Sequence, residues 1–201
     1  MSARGAPRLV LDAHGVVFSN PLPAFLREVV RETGQDPDEF RLRWREEIRR
    51  DAWLSREPDA RLWERITRGV GDADAWRARL EGLYAPGPAA PHLARWRDRA
   101  PLWLLSNHRS AWLLPRLERF GFERDLDRVL VSDEVRAVKP EPAAFRAALE
   151  GLESSELALV VDDRKRNVRA ARDLGIPAVR ARDDDEDWVT EVDAWLDRGG
   201  R

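Results

Sequence analysis

Five short apolar runs, at residues 8–12, 102–106, 128–132, 158–162 and 177–180, are separated by longer stretches with helical periodicity. This spacing constrains the fold more than any other feature of the chain. Leucine- and valine-rich runs of this length read as strands, and strands that alternate with helices are joined by crossovers into a parallel sheet. The predicted class is therefore α/β. The helices carry their own punctuation. Asn20 and Pro21 suit an N-cap and a first helical position, and Asp36, Pro37 and Glu39 repeat that signature with a capping-box acid. Gly34, Gly121, Gly151 and Gly175 stand where helices should end.

Between the first and second runs lies a block, residues 20–89, with helical periodicity alone, as in Leu22, Phe25, Leu26 and Val29. We read it as an inserted helical cap folded over the mouth of the sheet. The expected organisation is a core domain of residues 1–19 and 90–201 and a cap of residues 20–89, ending in a proline-rich hinge at Ala85–Pro91. Arginines in the cap, such as Arg61, are expected to balance acids on exposed faces, and Trp44, Trp53, Trp63 and Trp76 to anchor its core.

Composition narrows the function. The chain has 201 residues, enough for one well-cored domain and a modest insertion. Its formal charge is −2 with acids and bases interleaved, so no basic face is expected and nucleic acid is excluded as a partner. Cysteine is absent, which removes disulfides, thiolate nucleophiles and zinc–thiolate sites and leaves a hard cation held by oxygen. No apolar stretch reaches membrane-spanning length, and a cytoplasmic protein with no membrane partner is the expectation. Lys139 and Lys165 are the only lysines in a chain whose lysines and arginines total 35. The acidic run Asp183–Asp187 reads as a solvated loop and helix start, and Arg198–Arg201 as a frayed tail.

Asp12 stands where the apolar run Leu9–Leu11 stops and a small-residue turn, Ala13, His14 and Gly15, begins. Open α/β sheets hold ligands at the carboxyl ends of their strands. Ser106 and Asn107, then Lys139, then Asp162 and Asp163 follow in the same kind of place. Singly, each reads as a helix cap or turn residue. In order, they supply a nucleophile, a hydroxyl, a cation and an acidic pair. A carboxylate that attacks a phosphate dianion needs a cation beside it, and Asp12 with Asp162 and Mg²⁺ meets that need. Ser106 would donate to the transferring group, with Asn107 beside it at the substrate, and Lys139 would neutralise its oxygens. Asp163 would act at the metal by orienting its water, and Asn167 would tie the following loop.

These residues resemble the haloacid dehalogenase-like hydrolase superfamily with a helical cap. The resemblance runs through Leu11–Val17, Leu104–Asn107, Val138–Pro142 and Val160–Asn167. It implies a Rossmann-like fold with the nucleophile's strand central and the acidic-pair strand beside it. It also implies that Mg²⁺ takes the main-chain carbonyl of His14, and that a small phosphorylated metabolite is cleaved through an aspartyl-phosphate at Asp12.

One position departs from the pattern. Family phosphatases usually carry a second aspartate two residues after the nucleophile, as acid and base, where this chain has His14. Imidazole can perform that work, and flanking carboxylates would favour its charged form while Mg²⁺ would oppose it. Alternatively, His14 only packs or touches substrate and leaves a slow phosphatase. A catalytically inactive binding or regulatory protein is the competing reading, and a metal-free dehalogenase a weaker one, since the acidic pair would then face an anionic substrate without a cation. The substrate and oligomeric state stay open.

Overall fold

The computed structural model describes residues 7–182, 185 and 187–200. The five apolar runs form the strands β1 (Arg8–Leu11), β2 (Leu102–Ser106), β3 (Arg128–Val131), β4 (Ala158–Asp162) and β5 (Ala178–Arg180). They make one parallel sheet in the order β3-β2-β1-β4-β5. The strand that leads into Asp12 is central, with the strand that ends at Asp162 beside it. The helices between Leu22 and Gly82 are α1 (Leu22–Glu32), α2 (Pro37–Arg43), α3 (Arg49–Trp53), α4 (Asp59–Thr67) and α5 (Ala73–Gly82). Those that follow are α6 (Leu93–Arg97), α7 (Ser110–Phe120), α8 (Ser132–Val135), α9 (Pro142–Ala148), α10 (Lys165–Asp173) and α11 (Asp187–Asp197).

Contacts divide the chain into two units, Met1–Ser19 with Pro86–Arg201, and Asn20–Ala85. In the first, register and the two-residue repeat of strands place Val10, Trp103 and Val160 side by side on one face. There they meet Phe145 and Ala148 of α9 and Val168 and Ala171 of α10. Full burial of each large side chain contributes roughly 1.5–3 kcal/mol. Leu9, Leu102 and Leu159 share the other face. On that face Leu159 and Val179 lie beside Trp195 of α11, and Trp188 of α11 meets Trp96 of α6 edge to face at 6.0 Å. With both faces covered, an unbroken Leu/Val run is the expected strand composition.

In the second unit, Phe25 sits edge to face with Trp63 and Trp76, each at 6.1 Å. Trp63 and Trp76 are buried, whereas Trp44 and Trp53 are only partly so. Arg61 pairs with Glu64 at 2.6 Å on an exposed face. The Asp36 carboxylate caps α2, accepting from the amides of Asp38 and Glu39 at 2.9 Å each. Asn20 does not act as the expected cap: α1 starts at Leu22, and Pro21 occupies the cap position with no side-chain hydrogen bond.

Two local expectations change. The proline-rich stretch is tied to the turn after β1, through Gly87 N to Val17 O at 2.8 Å and Ala89 N to Val16 O at 2.9 Å. Residues 198–200 are not frayed, since Gly199 N and Gly200 N donate to Leu196 O and Trp195 O and close the end of α11. In the acidic run, Asp187 begins α11 and its amide donates to Asp185. Residues 183, 184 and 186 of that run, and Arg201, lie outside the described residues.

Candidate active site

In a parallel sheet the strands deliver their last residues to a common edge. Asp12, one step past β1, continues the ladder through its amide to Val161 O at 2.8 Å, and its carboxylate accepts from Ala13 N at 2.7 Å. Asp162, the last residue of β4, is fully buried. Lys139, from the loop before α9, lies between the two: Nζ is 2.9 Å from Asp12 Oδ1 and 2.7 Å from Asp162 Oδ2. These three side chains, far apart in the sequence, form a buried triad at the end of the sheet.

The lysine's approach is fixed from behind. Asn107 accepts from Lys139 N at 2.7 Å and donates to Lys139 O at 2.8 Å, so its amide clamps that peptide unit from both sides. The structure thus engages the Asn107 side chain on the Lys139 backbone. Asn167 of α10 donates to both Asp162 oxygens at 2.9 Å. Asp162 also accepts from Arg164 N at 2.9 Å, which closes the turn into α10. Ser106 ends β2 with 1% exposure, and its Oγ has no hydrogen-bond partner among the described residues. A buried hydroxyl without a partner costs free energy unless a ligand engages it.

Asp163 packs against the backbone of Gly15. A Cβ there would meet its carboxylate at 2.7 Å, and the φ of +80° independently favours glycine. Carboxylate oxygens of Asp12, Asp162 and Asp163 lie within 4.8 Å of one another. Burial first, and then the Asp162 and Asp163 charges, raise the Asp12 pKa to about 7 against the opposing pull of Lys139. Burial alone would lower the Lys139 pKa, but Asp12 and Asp162 outweigh it and hold the ammonium above its ordinary value. Lys139 thus bridges Asp12 and Asp162, while Asp163 lies 3.8 Å from Arg164 Nε. An all-oxygen donor set with surplus negative charge fits a hard divalent cation such as Mg²⁺.

His14 is surrounded differently from what the sequence suggested. Its Nε2 is 2.7 Å from Arg116 Nη1, and its ring stacks on His108 at 4.7 Å and 25°. Burial, followed by His108, Arg116, Arg164 and Lys139, holds its pKa well below the ordinary histidine value. The charged neighbours acting on it are thus Arg116, Arg164 and Lys139, where flanking carboxylates had been expected. Arg116 itself is 2% exposed. Sequence reasoning missed it, although a signal was present: Arg116 falls in the buried stripe of α7 formed by Trp112, Leu113 and Leu117, where an arginine is out of place.

Comparison with known proteins places the chain in a family and agrees with its fold. The family model for haloacid dehalogenase-like hydrolases matches residues 44–175. A phosphoserine phosphatase from Thermus thermophilus is 35% identical over 136 residues, covering 67% of this chain and 48% of that protein. The chain thus spans about half the length of this curated relative. A HAD-family enzyme from Bacteroides thetaiotaomicron, solved with magnesium and inorganic phosphate, shares the fold with a TM-score of 0.75 at 19% identity, covering 90% of this chain and 96% of that one. L-2-haloacid dehalogenase from Xanthobacter autotrophicus gives 0.62 at 20% identity, covering 88% and 77%.

Proposed function

Because the chain belongs to the haloacid dehalogenase-like hydrolases, we propose that it is a Mg²⁺-dependent phosphohydrolase acting on a small phosphate monoester through an aspartyl-phosphate at Asp12. The observation that carries this reading is the buried triad, with Lys139 Nζ between Asp12 and Asp162. A carboxylate held beside an ammonium and a cation-binding acidic cluster can approach a dianion that would otherwise repel it. A dehalogenase needs no such cluster. The Thermus relative supports a small phosphorylated substrate, and the Bacteroides complex supports magnesium.

An Asp12 oxygen attacks phosphorus in line, the bond from phosphorus to the ester oxygen breaks, and the departing alkoxide takes its proton from solvent water. Water then cleaves the acyl phosphate, releasing phosphate and restoring Asp12. Lys139 Nζ neutralises charge on Asp12 and on the phosphoryl oxygens, and Ser106 Oγ donates to one of them. Asp12, Asp162 and Asp163, with the His14 carbonyl that the resemblance adds, would hold Mg²⁺, which supplies electrostatic stabilisation of the transferring group. Asn107 contributes by fixing Lys139. The helical unit is assigned the role of cap, and the location is cytoplasmic. Among the described residues no helix is long and apolar enough to cross a membrane.

A second reading, a slow or inactive protein with a binding role, is favoured by the engagement of His14 with Arg116. Phosphate release from an aryl phosphate and a panel of small esters, with and without Mg²⁺, separates the two. We expect release that needs Mg²⁺ and falls at least about a hundredfold in Asp12→Asn. Equal release from parent and variant would refute the nucleophile, and no release at all would favour the binding role.

A further inference from the structure

The contact between α7 and the turn after Asp12 has a defined chemical sense. A guanidinium carries N–H donors and no acceptor, so a nitrogen 2.7 Å from Arg116 Nη1 must offer its lone pair. His14 Nε2 therefore bears no proton, and the ring hydrogen sits on Nδ1. His108 is fixed in the same sense: its Nδ1 lies 3.1 Å from Arg109 O, which can only accept. The two rings stack at 4.7 Å, with Phe18 at 6.2 Å from His14 and the Arg116 guanidinium 5.8 Å from the Phe18 ring. The backbone beneath them is a tight turn, in which Phe18 N donates to Ala13 O and Gly15 N to Phe18 O, both at 2.7 Å. Asp12 is the residue that enters this turn.

We propose that Arg116 is a positioning residue for the reaction at Asp12 and acts through His14: the guanidinium locks the imidazole as the Nδ1–H tautomer against His108 and so sets the turn that carries the nucleophile. The proposal rests on the phosphohydrolase reading. It assigns to position 14 a fixed ring that braces the turn, with its Nε2 lone pair committed to a permanent cation.

The chain has three histidines, so two-dimensional ¹H–¹⁵N spectra of the side chains, assigned with single variants, read the tautomer directly. The expected parent spectrum shows His14 with an unprotonated Nε2 and a protonated Nδ1, and Arg116→Met removes that signature. A His14 that carries its proton on Nε2 in the parent overturns the proposal whatever the activity. Kinetics form the second arm, with Arg116→Met, His14→Phe and the double variant. Misplacement of a reacting group by about an ångström can cost on the order of a hundredfold. Each single change should accordingly lower kcat by about tenfold or more at nearly constant KM, and the double variant should be no slower than the slower single. Unchanged kcat in Arg116→Met, or losses that multiply in the double variant, overturns the proposal. Turnover in the parent that ignores Mg²⁺ and Asp12 refutes the phosphohydrolase reading instead, and the spectra still decide the pairing.

Discussion

Burial pushes the His108 pKa down to about 3, with the nearby Arg116 charge adding to it and the Arg109 carbonyl opposing it. The sign of the consequence follows from proton counting. Between about pH 3 and the unfolded histidine value near 6.5, the unfolded chain binds a proton that the folded protein refuses. Stability due to this residue is complete above pH 6.5 and is lost as the pH falls toward 3, by on the order of 1 kcal/mol per unit. Urea titrations from pH 7 to pH 4 should show a shallower acid loss in His108→Gln than in the parent, and equal slopes would refute the buried neutral imidazole. At Lys139 the charge logic reverses. Replacing it by Met leaves Asp12 and Asp162 facing each other without their ammonium, a defect that costs about 3–5 kcal/mol when a buried pair is broken. Lys139→Met should therefore unfold at lower urea than the parent without Mg²⁺ and lose turnover. Unchanged stability would mean that the triad does not form.

The elements that the sequence announces are those encoded locally. Each strand is an apolar run bounded by turn residues, and the cap of α2 lies within four residues, from Asp36 to Glu39. For the same reason the positions of Asp12, Ser106, Asp162 and Asp163 were legible, since Ser106 and Asp162 close β2 and β4 and Asp12 and Asp163 lie one step past β1 and β4. Contacts closed by tertiary register were not legible. The clamp of Asn107 on Lys139 joins residues 32 apart, and the bond from Arg116 to His14 joins residues 102 apart. The proline-rich stretch shows the same limit, because its composition marks a loop but not what the loop touches. A Cβ at Gly87 would lie 2.4 Å from Val16 O and 2.7 Å from Phe18 O. Those are backbone atoms that cannot turn aside. Gly87→Ala should therefore cost about 1–3 kcal/mol, the usual range for overpacking. Gly82→Ala, at a helical position with open space around it, should be neutral or slightly stabilising. Thermal denaturation of the two variants tests this, and similar melting temperatures would show that the stretch yields freely.

At the scale of the whole molecule, the sheet gathers charge at one edge while the formal total stays at −2. The cluster of Asp12, Asp162 and Asp163 belongs entirely to the unit built around the sheet. Folding that unit brings three acids together, two of them on one ammonium, and a bound cation would relieve the repulsion among them. Any ion that binds the folded form and not the unfolded chain adds RT ln(1 + [L]/Kd) to stability, about 2.7 kcal/mol at a hundred times Kd. For a chain of this size each kcal/mol raises the melting temperature by roughly 2–4 °C. Saturating Mg²⁺ should accordingly raise the parent's melting temperature by several degrees, whereas K⁺ at matched ionic strength should not. Asp162→Asn removes a member of the cluster without changing the volume of the side chain, and its Mg²⁺ response should be much smaller than the parent's. This measurement needs no substrate, so it separates a cation site from the chemistry assigned to it. A shift that is equal in parent and variant would place the ion elsewhere, and no shift in either would remove Mg²⁺ from the proposed reaction.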